Sequence, residues 1–290
     1  MAQQREIFLA IFLACVARVR SESSCLVQLR SDSATAIGAL GSPFSRQQKQ
    51  CIDDYVSNVK TVLPNYTLDG RSFGGKIGGE PLHNPPILGA GFGSTATRSV
   101  AALARALNLQ VEHCPSQGRN ETWMRLYRMM TADCKLRVEL NDIDFKGMIA
   151  GEQKQRFWLD TPLAELFLDF YAASPKSKVV LTLRPAKSWC FSRQKHHGNS
   201  PVNGWPLQSP CGKRLSELSC EDAAKLFNLH TTLVRCMVPS KNLLEINVFE
   251  SSVDPNRVAK FFGVPTKHHL TMPHISFSFE AEALGKTGSV

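Results

Sequence analysis

Several features are missing from this sequence, and each absence removes a class of protein. No Cys-x-x-Cys pair is present, which disfavours a zinc ribbon or a thioredoxin-like site. No basic stripe is interleaved with aromatic residues, so we expect no DNA or RNA partner despite the net charge of +9. No internal repeat divides the 290 residues. What remains is a globular composition, 43% hydrophobic and 20% charged, whose positive charge suits an anionic ligand.

A long hydrophobic run is missing as well. The apolar segment 7–17, flanked by Arg5 and Arg18, is shorter than the roughly 20 residues that span a bilayer comfortably. It has the length of the hydrophobic region of a signal peptide, and Ala17 is a suitable small residue before a cleavage site. We expect residues 1–20 to be a signal peptide, with a short signal anchor or a buried amphipathic helix as alternatives. Membrane contact is expected only if this segment is retained as an anchor.

Eight cysteines lie outside that segment. They are Cys25, Cys51, Cys114, Cys134, Cys190, Cys211, Cys220 and Cys236. An even number suits disulfide bonds in an oxidising lumen, and their pairing stays open. Two N-glycosylation sequons, Asn65-Tyr66-Thr67 and Asn120-Glu121-Thr122, agree with that environment. We expect a glycoprotein of the secretory pathway, either in the Golgi lumen or secreted.

Strand-like and helix-like patterns alternate along the chain. Helices are predicted over 47–62, 100–107, 123–130, from 161 onward, 221–238 and 256–262, and strands over 87–89, 109–114, 178–183 and 243–248. Residues 136–140 predict a strand or a helix end, and 63–86 and 193–215 predict loops. Asp160 or Thr161 is expected to cap the helix that starts at Thr161-Pro162. This alternation predicts a parallel sheet, in which ligands bind beyond the carboxyl ends of the strands.

One turn carries the strongest functional signal. The apolar residues 87–89 lead into alternating glycines at positions 89, 91 and 93, followed by several hydroxyl residues and the helix pattern. Glycines allow close backbone approach and a helix N-terminus favours an anion, so this unit suits a phosphate group. A nucleotide-hydrolysing P-loop is excluded because its Gly-Lys-Ser/Thr ending is absent. A dinucleotide-binding fold stays open, since Gly89-Ala90-Gly91 begins its motif and Glu112 lies near the expected acidic position.

A second segment decides between the remaining interpretations. Residues 180–192 combine a predicted strand with Arg184, Trp189 and Ser192, and the arginine and serine are eight positions apart. This arrangement resembles the 3′-phosphate site of sulfotransferases, and residues 91–99 resemble the 5′-phosphosulfate loop of the same family. An arginine offers a charged fork to a phosphate, and a serine adds a hydroxyl near a helix start. The pair of segments favours the sulfotransferase interpretation.

The resemblance covers about residues 85–275, with a poorly matching stretch at 115–155 and an insertion at 193–220. Asp160-Thr161-Pro162 resembles the Asp-x-Pro helix start, and residues 261–265 resemble the C-terminal part, of the branch with Arg-Thr-Gly-Thr loops. The implied fold is α/β, a P-loop-like parallel β-sheet flanked by helices in a three-layer sandwich. The expected divisions are an N-terminal extension at 21–84, a sulfotransferase-like domain at 85–278 and a disordered tail at 279–290.

The family implies transfer of a sulfuryl group from 3′-phosphoadenosine-5′-phosphosulfate, its co-substrate, to a hydroxyl or amine acceptor such as a glycan. No metal is implied. By this resemblance the 5′-phosphosulfate would contact Gly91, Gly93, Ser94, Thr95, Ala96, Thr97 and Arg98. Arg184 and Ser192 would hold the 3′-phosphate. The alternatives are a catalytically weak or inactive nucleotide- or anion-binding lumenal protein of the same fold, and an NAD(P)-dependent oxidoreductase.

The loop departs from the family at two positions. Ser94 stands where the family usually has Lys or Arg, which stabilises the leaving phosphate oxygen, and Ala96 replaces a glycine. Our first hypothesis is that Arg98 supplies the missing charge, with Lys187 or residues 193–197 as alternatives. The loop is therefore stronger evidence for the identity of the ligand than for the rate of transfer.

A transfer also needs a base for the acceptor proton, which a positioned His, Asp or Glu can provide. The candidates are Asp160, which we rank first, His113 and His230. A helix cap at Asp160 and a packed helix residue at His230 are the structural alternatives. His196-His197, with Arg193 and Lys195, predicts a basic loop able to receive an anionic acceptor.

Overall fold

The structure, a computed structural model, describes most of the chain between its termini. The described residues are 43–64, 66, 68, 73–75, 82–113, 126, 140–150, 155–197, 204–205, 213–214, 217–249, 253–265 and 271–273. The chain divides into two compact units, 1–45 and 46–290, and all elements below belong to the second. The predictions for residues 1–20, 123–130, 136–140 and 279–290 fall, apart from single residues, outside the described ranges. None of the helices within the described residues is long and apolar enough to cross a bilayer.

Helices and strands alternate along the described chain. The helices are α1 (Arg46–Lys60), α2 (Thr97–Ala106), α3 (Phe145–Ile149), α4 (Phe167–Ala173), α5 (Ala186–His197), α6 (Cys220–Met237) and α7 (Pro255–Phe262), with a 3₁₀ turn at Ser240–Asn242. The strands are β1 (Ile87–Gly89), β2 (Gln110–His113), β3 (Arg156–Leu159), β4 (Lys178–Thr182), β5 (Gly204–Trp205), β6 (Lys213–Arg214) and β7 (Leu243–Ile246).

Five strands form one parallel sheet in the order β2-β3-β1-β4-β7, which confirms the predicted α/β class. The strand β1 is the middle one, and all three of its residues are buried. Near-continuous apolar sequence suits such a strand, because helices cover both faces of a parallel sheet. The short strands β5 and β6 pair antiparallel and form a separate ribbon. The loop that follows β1 therefore starts from the centre of the sheet at its carboxyl edge.

Apolar packing holds helices to the sheet, and two disulfides join helices to one another. A buried cluster includes Val100 and Leu103 of α2, Phe157 and Val180 of the sheet, and Phe262 of α7. The helix α7 ends at Gly263 in the left-handed conformation, as its sequence predicts. The predicted disulfide bonding is confirmed for two pairs: Cys51–Cys236 joins α1 to α6, and Cys190–Cys220 joins α5 to α6.

The helix predicted from Thr161 begins later, at Phe167, and that prediction was wrong. Residues 161–166 form hydrogen-bonded turns, and the N-cap position falls on Leu166 instead of Asp160 or Thr161. Asp160 adopts a left-handed conformation, with φ of 71°, and its carbonyl accepts from the Leu163 amide at 2.8 Å. Every apolar residue of the segment is buried in these turns, so the helical spacing of the sequence did not report a continuous helix.

The polar loop predicted from residue 193 was also wrong over its first part. Residues 193–197 continue α5, which runs from Ala186 to His197. The buried face of this helix carries Trp189, Cys190 and Arg193. Because Arg193 is charged, the buried face of the helix does not appear as a continuous apolar pattern in the sequence. The basic residues of 193–197 are therefore presented by a helix.

Candidate active site

The glycine loop runs directly against the neighbouring strand β4. The Ala90 amide donates to the Val180 carbonyl at 2.8 Å, and Gly91 follows immediately. A Cβ at Gly91 would lie 1.9 Å from Thr182 Oγ1 and 2.7 Å from both Thr182 N and Thr182 O. Because backbone atoms cannot yield as a flexible side chain can, only glycine fits here. The sequence signal of the alternating glycines thus has a packing cause at this position.

The loop is held in a strained conformation before α2 begins. Ser94 and Ala96 have φ values of 71° and 68°, in the left-handed region that costs a non-glycine residue about 1 kcal/mol. The Thr95 hydroxyl between them donates to the Phe92 carbonyl and lies 2.6 Å from Thr182 Oγ1. Within the described ranges the Ser94 Oγ is buried and has no hydrogen-bond partner. Strain of this kind concentrates at ligand-binding loops.

The second predicted phosphate segment meets this loop. Arg184 Nη1 donates to the Ser94 carbonyl at 3.1 Å, and Trp189 Nε1 donates to the Gly93 carbonyl at 3.0 Å. The Arg184 guanidinium also lies 4.4 Å from the ring centroid of Phe249, a cation–π contact. The two carbonyl oxygens are thereby paired with donors, which reduces their repulsion toward an anion at the loop. The two segments thus meet at the carboxyl edge of the sheet, where β1 and β4 end.

Two of the three candidate bases lie together at the start of α2. Asp160 Oδ2 accepts from the Thr97 hydroxyl and lies 3.2 Å from His113 Nε2. Asp160 Oδ1 accepts from the Thr161 amide at 2.9 Å. Burial lowers the pKa of His113, with Arg105 and Arg98 adding to the effect and Asp160 opposing it. His113 Nε2 is also 3.2 Å from Thr97 Oγ1, so the imidazole, the Thr97 hydroxyl and the Asp160 carboxyl group form one cluster.

His230, the third candidate, lies beneath the loop. Its Nε2 is 2.8 Å from the Ala90 carbonyl, and its ring centroid is 4.1 Å from that of Phe92. Burial lowers the pKa of His230 to about 4, so the imidazole is neutral and its Nε2 proton is committed to the backbone. This geometry assigns His230 to supporting the loop.

The low pKa of His230 predicts a specific loss of stability in acid. An unfolded histidine takes up a proton near pH 6.5, whereas folded His230 does so only near pH 4. Its stabilising contribution is therefore complete above pH 6.5 and falls by about 3 kcal/mol as the pH drops to 4. We expect His230→Gln, which keeps an N–H donor, to lose less stability than the wild type between pH 7.5 and 4.5. Urea unfolding at both pH values measures this, and parallel losses would contradict it.

Two further residues border the site: Arg193, which the sequence suggested only as part of a basic segment, and Glu165, which it did not indicate. Arg193 is 8% exposed, and a Cβ at Gly93 would lie 2.3 Å from its Nη1 and 2.8 Å from Asp160 Oδ1. Glu165 accepts from the Thr161 hydroxyl at 2.8 Å, and burial raises its pKa to about 7 against the opposing Arg193 charge. The four-residue spacing of Thr161 and Glu165 was the available signal, but the helix expected from Thr161 already accounted for that spacing.

The other predicted residues are more peripheral. Arg98, Lys187 and Lys195 are exposed, and Ser192 and His196 are partly buried. The charge of Arg98 still reaches the site, because it contributes to the lowered pKa of His113. Among the described residues, no group of three or more His, Cys, Asp and Glu side chains could hold a metal ion.

Fold and site together define a parallel α/β protein that presents a glycine loop, a helix N-terminus and arginines at the centre of its sheet. The family model described as a sulfotransferase domain matches residues 86–278, about two thirds of the chain. The chain therefore belongs to the sulfotransferase-domain family, which confirms the family that its sequence resembles. Membership indicates a transferase acting on sulfuryl groups in general. No curated protein matches the chain.

Proposed function

We propose that this protein transfers the sulfuryl group of 3′-phosphoadenosine-5′-phosphosulfate to a hydroxyl or amine acceptor. The observation that carries the proposal is the hydrogen bond from Arg184 Nη1 to the Ser94 carbonyl. It joins two segments separated by ninety positions, each of which has the chemistry of a phosphate site. A ligand with phosphate groups at both ends would account for both segments.

Each segment has a distinct role in the proposed complex. The backbone amides at the start of α2 would receive the 5′-phosphosulfate. Arg184 and Ser192 would receive the 3′-phosphate. The acceptor oxygen forms a bond to sulfur while the bond from sulfur to the 5′-phosphate oxygen breaks, and that oxygen leaves with the electron pair. Donors fixed in advance around the loop stabilise the charge that develops there.

Asp160 is the proposed base. Its carboxylate lies within hydrogen-bond distance of the loop residue Thr97 and is oriented by His113 and by the Thr161 amide. Because His113 donates its Nε2 proton to Asp160, the carboxylate has a fixed direction and can accept a further proton from the acceptor. The left-handed backbone at Asp160 places this side chain at the end of β3, beside the loop.

The proposed location is the secretory pathway, and the proposed acceptor is a glycan. The two disulfides Cys51–Cys236 and Cys190–Cys220 support an oxidising compartment. The sequons at Asn65 and Asn120 agree with it. The basic residues on α5 supply positive charge that an anionic glycan would favour.

One observation favours a second candidate, a nucleotide-binding protein of the same fold without transfer activity. Ser94 brings no charge to the loop position that is usually basic in the family, and its Oγ is buried without a hydrogen-bond partner among the described residues. Such a protein would bind the nucleotide through Arg184 and the loop amides and would leave the sulfuryl group in place.

Thermal unfolding tests the binding half of the proposal. We expect 3′-phosphoadenosine-5′-phosphate to stabilise the protein by about 2.7 kcal/mol at a concentration 100-fold above its Kd. NAD, ATP and free sulfate should stabilise it less. Arg184→Gln should weaken this binding about 30-fold, because it removes a charge-assisted contact to phosphate. Arg235→Gln is the matched control, since Arg235 pairs with Glu245 on the surface outside the site.

The outcomes of these experiments separate the candidates. Binding of NAD in preference to the adenosine bisphosphate would favour an oxidoreductase and contradict the proposal. Labelled sulfuryl transfer to glycans, tyrosyl peptides or small alcohols would establish the enzyme and its acceptor. Tight nucleotide binding without transfer to any member of a broad panel would favour the non-catalytic candidate.

A further inference from the structure

A buried arginine faces the glycine loop from α5. Only 8% of Arg193 is exposed, and its Nη1 lies so close to Gly93 that a Cβ there would be 2.3 Å away. The same Cβ position is 2.8 Å from Asp160 Oδ1, so the guanidinium, the loop and the proposed base adjoin one another. The helix brings Arg193 to this place because Trp189, one turn earlier, is anchored on the Gly93 carbonyl.

The protein itself neutralises this charge incompletely. Among the described residues, the Arg193 guanidinium makes one hydrogen bond, from Nη2 to Thr161 Oγ1 at a long 3.5 Å. Glu165 attracts it, yet burial keeps the pKa of Glu165 near 7, so this partner is only partly ionised at neutral pH. Asp160 already accepts from Thr97, His113 and the Thr161 amide. A buried cation with such limited pairing is costly unless an anion completes its surroundings.

We propose that Arg193 binds the anionic 5′ end of the nucleotide and supplies the positive charge that Ser94 does not bring to the loop. The inference rests on the proposed function and specifies one residue of that site. As the sulfur–oxygen bond breaks, the 5′-phosphate oxygen gains negative charge, and Arg193 stabilises it while remaining protonated. The acceptor proton goes to Asp160.

Burial is the reason to choose Arg193 over the other cations nearby. Arg98 and Lys187 are both exposed, and water and salt screen exposed charges strongly. The Arg193 guanidinium is enclosed against the loop, where the lower effective dielectric strengthens its interaction with an anion. The Arg184 guanidinium is engaged with the Ser94 carbonyl and the Phe249 ring on the side assigned to the 3′-phosphate.

Two nucleotides that differ by one phosphate provide the test. Calorimetry would compare 3′-phosphoadenosine-5′-phosphate with adenosine 3′-phosphate, which lacks the 5′ group. We expect Arg193→Gln to weaken the first roughly 30-fold and the second by less than about twofold. Arg193→Lys should retain most of the affinity, and Arg184→Gln should weaken both nucleotides. Arg235→Gln, at a residue that pairs with Glu245 outside the site, should leave both close to the wild type.

The outcomes distinguish this inference from the proposed function. If the wild type binds neither nucleotide, the proposed function fails and the inference fails with it. If the wild type binds both and Arg193→Gln weakens both equally or neither, the inference is overturned while the proposed function stands. A selective loss in Arg98→Ala instead would transfer the role to Arg98. The double variant Arg193→Gln/Glu165→Gln removes both members of the buried pair, and it replaces the single variant if that one does not fold.

Discussion

Replacing Gly91 with alanine is expected to reduce sulfuryl transfer and nucleotide affinity by about 100-fold and to lower the free energy of unfolding by about 3 kcal/mol. The new Cβ would lie 2.7 Å from both Thr182 N and Thr182 O, which belong to the strand β4. Either the loop moves away from the strand or the strand pairing opens. In both cases the amides that would receive the phosphosulfate leave their positions. Urea unfolding and calorimetry with 3′-phosphoadenosine-5′-phosphate measure the two effects.

The double variant Gly91→Ala/Thr182→Ala separates a backbone collision from a side-chain collision. The closest atom to the added Cβ is Thr182 Oγ1, at 1.9 Å, and alanine at position 182 removes it. The backbone contacts at 2.7 Å remain, so we expect the double variant to bind nucleotide no better than Gly91→Ala. Recovery of affinity would show that backbone approach is not the reason for glycine. Thr182→Ala alone is the control for the loss of this buried side chain and its contact with the Thr95 hydroxyl.

Removing the Cys51–Cys236 disulfide is expected to lower the free energy of unfolding by about 5 kcal/mol. The bond joins residues that are 185 positions apart, so it closes a long loop in the unfolded chain and lowers the conformational entropy of that chain. The variant Cys51→Ala/Cys236→Ala tests this in urea, beside the wild type unfolded with and without a reductant. The slope of the urea dependence should also rise, since an uncrosslinked chain exposes more surface on unfolding.

The second disulfide provides an internal comparison. Cys190 and Cys220 are 30 positions apart, and the same chain-entropy relation gives about 3.5 kcal/mol for their bond. Cys190→Ala/Cys220→Ala should therefore destabilise the protein less than removal of the first pair. A larger effect of the second pair would contradict the entropic account and would indicate that packing of α5 against α6 dominates.

Four of the five strands of the parallel sheet were predictable because their signals are local and strong, whereas β3 (Arg156–Leu159) was not predicted. The apolar runs at 87–89 and 178–182 predict buried parallel strands, and both occupy the middle of the sheet. The helix start at Thr161 was not predictable in the same way. A left-handed residue at Asp160 and hydrogen-bonded turns after it bury the same apolar positions that a helix would bury. The spacing of apolar residues indicates which positions are buried, and here hydrogen-bonded turns bury those positions in place of a helix.

The site residues that belong to a sequence motif were predictable, whereas those positioned only by tertiary packing were not. The approach of Arg184 to the loop follows from two segments at the carboxyl ends of neighbouring strands. The place of Arg193 depends on how far α5 continues and which of its faces is buried, and both are tertiary properties. The raised pKa of Glu165 comes mainly from burial, which the spacing of Thr161 and Glu165 in the sequence does not report.

The loop between β1 and α2 is fixed from several directions before any ligand arrives. Thr95 ties it to the strand β4, Arg184 and Trp189 hold its carbonyls, and His230 holds its first residue from below. Its conformational entropy is therefore lost when the chain folds and not when the nucleotide binds. A preorganised loop of this kind leaves the contact energy of the proposed nucleotide available for affinity.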